Sequence, residues 1–207
     1  VIVSLVFDAV LLAGGRASRV QGADKTGFTS GDATLLDRAV EASAGARTLV
    51  VVGLRDGRVP PVGALLTREE PARSGPVAAL AAGLDVVEDA APWTLALACD
   101  LPRAPEAVQA LLAGNGNDVG ERRDGLLAID SDGRRQPLLG LYRTGALETR
   151  LAALRADGPL AGLSLRRLLD GLDLLEVPVP DELCADVDTA DDADRLGVVR
   201  RESDATG

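Results

Sequence analysis

Strand-like and helix-like segments alternate along most of the chain, and the strand-like ones are continuous apolar runs. A strand that is apolar on both faces must be covered on both, and a crossover helix is what joins parallel neighbours. These observations predict an α/β fold: a three-layer α/β/α sandwich around a mostly parallel sheet. With 207 residues, one domain is expected over residues 1–199, followed by a disordered tail at 200–207.

Each element has its own reason. Residues 9–13 (AVLLA) form a buried strand that runs into a glycine turn, and 34–44 (TLLDRAVEASA) has helical spacing. A second apolar run covers 48–52, and a third short strand 63–67. Residues 76–88 form an alanine-rich helix with Pro76 in its first turn, where a missing N–H does no harm. The run 93–99 (WTLALAC) is the clearest central strand, and 105–113 follows it as a helix. Past a GNGND loop at 114–118, strands are expected at 126–129 and 138–142, flanking an exposed DSDGRRQ turn. Helices are expected at 145–156 and 165–169, a strand at 174–179 and a last short helix at 191–196.

Composition removes whole classes of chemistry. The chain has no histidine, which excludes histidine general bases, Ser-His-Asp triads and histidine metal sites. Cys99 and Cys184 are the two cysteines and form no CxxC, so neither a zinc ribbon nor a disulfide framework is available. A net charge of −10 argues against a nucleic-acid partner. The opening VIVSLVFDAVLLAGG is apolar, but Asp8 interrupts it and Gly14-Gly15 end it short of the ~20 residues of a spanning helix. It also lacks a basic leader, so the expectation is no membrane, no signal peptide and a cytoplasmic location.

The richest chemistry lies in LAGGRASRVQGADK, residues 12–25. A strand ends there at paired glycines, whose missing Cβ atoms let backbone N–H groups approach an anion. Arg16, Arg19 and Lys25 stand against one carboxylate, Asp24, and Lys25 is the single lysine among 22 basic side chains. Cations beside a glycine turn at a strand's carboxyl end suit a polyphosphate. The spacing is neither a Walker A loop nor GxGxxG. Further along, Asp100 closes the 93–99 strand before Leu-Pro, where it serves either as a crevice carboxylate or as the cap of the next helix. Asp188 is likewise either a plain cap or a second carboxylate.

The pattern LAGG-x3-R-x4-DK resembles the opening of the molybdenum cofactor guanylyltransferases, the MobA-like nucleotidyltransferases. The likeness continues through REEP (68–71) leading to GPVAAL (75–80), then ACDLP (98–102), QPL (136–138) before LYR (141–143), and DVDT (186–189). It implies a Rossmann-like nucleotidyltransferase fold. It implies a nucleotide-binding set of Leu12, Ala13, Gly14, Gly15, Lys25, Gly53, Glu70, Gly75 and Asp100. Arg19, Lys25 and Asp100 take the catalytic roles, with Mg²⁺ on Asp100 and on Asp188 as second ligand. Where relatives carry Asn to read the base, Gly53 offers only its backbone, and the LAGG form resembles guanylyl rather than cytidylyl transferases.

The implied reaction moves GMP from GTP to the terminal phosphate of molybdopterin, bare or loaded with molybdenum, releasing pyrophosphate. Arg134, Arg135, Gln136 and Arg166 are the expected acceptor-facing side chains, and Leu163 stands where relatives often carry Arg. A handover to a molybdenum insertion protein or molybdoenzyme chaperone follows from the same resemblance. The alternatives are a related transferase using CTP or another phosphorylated acceptor such as a sugar phosphate, and a non-catalytic nucleotide-binding module.

Overall fold

A computed structural model describes residues 5–14, 28–114, 123–187 and 189–200. In chain order the strands are β1 (Phe7–Leu12), β2 (Phe28–Ser30), β3 (Ala33–Thr34), β4 (Leu49–Val52), β5 (Leu65–Thr67), β6 (Trp93–Ala98), β7 (Gly125–Ile129), β8 (Arg135–Arg143), β9 (Leu174–Pro178) and β10 (Val198–Arg200). The helices are α1 (Leu35–Ala42), α2 (Pro76–Asp85), α3 (Ala104–Ala113), α4 (Thr144–Asp157), α5 (Leu165–Leu169), α6 (Asp181–Cys184) and α7 (Ala190–Arg195).

Every side chain of β1 is buried, as its unbroken apolar run requires. It pairs in parallel with β4 on one side and β6 on the other. The sheet runs β5-β4-β1-β6-β8-β7-β9, and β8 is its one reversed strand. Alternation along β1 splits the core in two. Ala9 and Leu11 join α1, α3 and α6 on one face, while Val10 and Leu12 join α2, α4 and α5 on the other. The expected three-layer sandwich is therefore the observed one.

Local chemistry places the helices. Thr34 caps α1 through a capping box, accepting from the Asp37 N–H at 3.0 Å while Asp37 accepts from the Thr34 N–H at 2.9 Å. Gly83 lets α2 lie flat on the sheet, since a Cβ there would stand 2.4 Å from Val10 Cγ1. In β8 the pairing with β7 jumps from Leu127↔Gly140 to Ala128↔Gln136, so the residues between bulge out. The Tyr142 ring folds back over Gly140, and its hydroxyl donates to Pro137 O at 2.8 Å, bridging the bulge.

The expected segments all appear, with ends moved by a few residues; the 138–142 strand, for example, extends to Arg135–Arg143. Four short elements carry too little pattern to be read beforehand. They are α6 and the separate antiparallel sheet β10-β2-β3. That sheet corrects the expected boundary, because Arg200 pairs with Phe28 rather than starting a tail. Residues 201–207 lie outside the described residues. A satellite core of Phe28, Leu35, Val187, Ala193 and Val198 fixes the small sheet to the main body. Among the described residues no helix is long and apolar enough to cross a membrane.

At the amino end of the sheet, the buried Asp8 carboxylate accepts from Thr48 N at 3.0 Å and Ala91 N at 2.6 Å, with Arg47 Nε 3.7 Å away. It ties the base of β1 to the entry of β4 and to the turn before β6. Asp8→Ala leaves two enclosed backbone donors unpaired, and a loss of about 3 kcal/mol is expected in urea unfolding. A loss under about 1 kcal/mol would show that water replaces the carboxylate.

Both cysteines are buried thiols. Burial first, and then the neighbouring Asp100 charge, pushes the Cys99 thiol far above its ordinary range. Burial likewise pushes Cys184 up, from 9.0 to about 11. Neither thiol should react with Ellman's reagent at neutral pH without unfolding. Because the folded pKa of Cys184 lies above its unfolded one, its contribution to stability is whole below pH 9 and fades as the pH rises toward 11. Rapid labelling of the native protein at pH 7 would contradict this.

Candidate active site

The topology chooses the crevice. After β1 the chain passes through α1 to β4 and on to β5, moving outward on one side of the sheet. It then returns through α2 to β6 on the opposite side of β1. The carboxyl ends of β1 and β6 are thus the switch point at which open α/β sheets bind ligands. Ala13 N donates to Val52 O at 2.9 Å and Cys99 N to Leu12 O at 3.2 Å, so the β1 exit is held between its two neighbours. Leu12 is buried, Ala13 half-buried and Gly14 exposed, which turns the backbone progressively toward the crevice.

Gly53 leaves β4 beside this exit with φ +75°, and its N–H donates to Thr67 O at 2.9 Å. A Cβ on Gly53 would stand 3.1 Å from both N and Cα of Gly14. The two glycine backbones pack directly against each other. Asp100 stands half-buried at the end of β6, and its carbonyl accepts from Val187 N at 3.1 Å. That bond brings the acidic segment around Asp186 against the β6 exit. The satellite core, which buries Val187 completely, keeps it there.

The third wall is the segment after β5. Glu69 is buried and its Oε1 accepts from Arg73 N at 2.8 Å, while Glu70 is exposed. Ser74 Oγ donates to Pro71 O, and Ser74 O accepts from Gly162 N at 2.7 Å. Gly75 then opens α2 with φ +101°, a conformation that suits glycine, so the free N–H groups of the α2 first turn begin at this wall. Gly162 sets the half-buried Leu163 beside it.

Leu12, Ala13, Gly14, Gly53, Gly75 and Asp100 therefore gather at one edge of the sheet. Glu70 belongs to the same wall and is exposed, whereas Glu69 is buried. Gly15, Arg19, Lys25 and Asp188 lie outside the described residues. Adjacent Glu-Glu in a sequence carries no sign of which one turns inward, so the buried Glu69 had no sequence signal. The Val187–Asp100 bond had none either, since it joins residues far apart in the chain.

Arg134, Arg135 and Gln136 lie where β7 turns back into β8. β7 runs parallel to β6 through the reversed β8, so the hairpin between β7 and β8 stands at the same edge. Asp130 organises it, accepting from Asp132 N at 3.1 Å, Arg134 N at 2.8 Å and Gln136 Nε2 at 3.2 Å. Arg135 is committed elsewhere, its Nε donating to Glu176 at 2.6 Å. Arg134 and Arg166 are exposed and pair with no carboxylate among the described residues. The donor set facing the crevice is oxygen from carboxylate and backbone, which suits a hard cation. Among the described residues no three carboxylates or thiols cluster as a metal cage. Magnesium needs only one or two protein carboxylates when phosphates complete its shell, so Asp100 with its neighbouring segment fits that ion.

Solved structures of the same architecture support this geometry at the level of the fold. Rv0371c from Mycobacterium tuberculosis superposes with a TM-score of 0.70 at 22% identity, covering 93% of this chain and 98% of that one. Molybdopterin-guanine dinucleotide biosynthesis protein A from Archaeoglobus fulgidus gives 0.66 at 21% identity, covering 92% and 96%. The 2-C-methyl-D-erythritol 4-phosphate cytidylyltransferase of Francisella tularensis gives 0.71 at 12%, covering 92% and 98%. No curated protein sequence matches the chain. The profile of the MobA-like NTP transferase domain matches residues 9–175, which takes in the β1 exit, the Gly53 turn, the α2 entry and Asp100. The chain belongs to the MobA-like NTP transferase family.

Proposed function

We propose that this nucleotidyltransferase moves GMP from GTP to the terminal phosphate of molybdopterin, with or without molybdenum, and releases pyrophosphate. The observation that carries the reading is the gathering of the β1 glycine exit, the Gly53 turn, the α2 entry and Asp100 at one switch point. An oxygen of the acceptor phosphate attacks the α-phosphorus of GTP, and the bond from that phosphorus to the β-phosphate oxygen breaks. The nucleophile is already anionic, so no histidine or other protein base is required. Positioning and charge neutralisation are then the work of the protein.

In this scheme the backbone at Gly14 and Gly15 lies along the phosphates. Arg19 and Lys25 offset the negative charge that grows on the departing pyrophosphate. Asp100, with Asp188, would hold Mg²⁺, which when bound neutralises phosphate oxygens. Arg134 and Arg166 are the uncommitted cations for the acceptor, whereas Arg135 serves the sheet. Handover of the product to a molybdenum insertion protein or molybdoenzyme chaperone, in the cytoplasm, completes the proposal. Gly53 favours a second reading in which CTP replaces GTP, because a bare backbone at that turn does not by itself select a purine.

Two substitutions test the scheme by pyrophosphate release with GTP or CTP, Mg²⁺ and molybdopterin. Lys25→Ala should lower turnover by about 10²–10³-fold, the effect of removing one preorganised charge contact, with an unchanged melting temperature. Near-normal release from that variant would remove Lys25 from the chemistry. Asp100→Asn should lower turnover by a similar factor of about 10² and weaken the response to added Mg²⁺. A wild-type preference for CTP would establish the second reading, and nucleotide binding without any release would point to a non-catalytic module.

A further inference from the structure

The segment between β5 and α2 contains a conformation that the proposed reaction leaves unexplained. Arg73 has φ +66°, the one non-glycine residue with positive φ among those described. Such a conformation is uncommon for a side chain of this size and persists only where its surroundings enforce it. Here the enforcing group is Glu69, buried at 9% exposure, whose Oε1 takes the Arg73 N–H at 2.8 Å. Ser74 continues the arrangement through Pro71 O on one side and Gly162 N on the other. Oε2 of Glu69 lies 4.0 Å from the place where a Cβ of Gly53 would stand. One carboxylate therefore stands beside the Gly53 turn and fastens the loop that leads to Gly75.

We infer that Glu69 is a positioning residue of the nucleotide site, a latch that holds loop 70–74 and the α2 entry against the Gly53 turn. It acts through Arg73 and the loop backbone rather than by touching the base. The inference rests on the reading that this edge binds a nucleotide. A buried carboxylate is an unusual choice for a surface loop, since a short polar side chain would satisfy one N–H at less desolvation cost. A carboxylate that holds the Arg73 N–H with one oxygen and stands beside the Gly53 turn with the other touches two walls of the crevice at once.

The latch and the nucleotide reading can be tested apart. In wild type, Glu69→Ala and Glu69→Gln, amide hydrogen exchange at Arg73 reads the latch in the free protein. Calorimetric titration with GTP, ITP and CTP in Mg²⁺ reads the site. Glu69→Ala should speed exchange at Arg73 and weaken GTP about tenfold or more, the effect of losing a hydrogen bond to a charged acceptor. Glutamine keeps an oxygen for the same N–H, so Glu69→Gln should restore most of both. The GTP-to-ITP ratio should stay the same in all three proteins, because a latch does not read the guanine amino group.

Fast exchange with wild-type affinity in Glu69→Ala would reduce the latch to a purely structural feature. Failure of Glu69→Gln together with a collapsed GTP-to-ITP ratio would make Glu69 a base reader and overturn the inference. If wild type binds none of the three nucleotides while Arg73 stays protected, the nucleotide reading falls and the inference falls with it.

Discussion

β1 has parallel partners on both sides, and the crossovers that follow it depart in opposite directions across the sheet. This arrangement is the constraint from which the site derives. A strand so placed has no exposed edge and no exposed side chain, so it reaches solvent through its ends. The neighbouring strands must end near the same level, and their exits become the walls of the crevice. The Gly14–Gly53 contact follows directly, because adjacent strands that end at one level bring their exit backbones together. Glycine at Gly53 answers to that packing and to its φ of +75°, whereas a Cβ at Gly14 would meet Gly53 at an ordinary 3.5 Å.

The opposite end of the sheet is built on a different principle. There a buried carboxylate, Asp8, collects backbone donors from the segments that enter β4 and precede β6. The Thr94 and Thr144 hydroxyls meet at 2.9 Å nearby, and Thr144 donates to Ala91 O. This closed network contrasts with the carboxyl edge, where glycines, exposed arginines and half-buried carboxylates face outward. Rigidity at one end and open polar groups at the other are what a positioning enzyme needs, since reactive geometry depends on walls that do not yield.

Much of this was legible in the residues. Continuous apolar runs identified the main parallel strands because burial on both faces leaves no alternation to confuse them. Pro76 marked the α2 start, and the helical spacing of 34–44 marked α1. The carboxyl edge was legible through glycines placed at strand ends. The short sheet β10-β2-β3 was not, because two or three residues show no periodicity and their pairing joins opposite ends of the chain. Glu69 was hidden for a related reason: whether a carboxylate is enclosed depends on a turn several residues later, here the φ of Arg73. Long-range bonds such as Val187 to Asp100 leave no local trace at all.

The small sheet also bears on the architecture of the whole chain. β10, the last strand described, pairs with β2, which begins three residues after Lys25. Chain closure between distant ends shortens the conformational search of whatever lies between anchored points, and the entropy removed grows only slowly with length. The last strand described therefore fastens β2, and through the satellite core α1, to the body of the fold. Appendages joined after β10 would pull on β2 and the small core beneath it rather than on a remote surface.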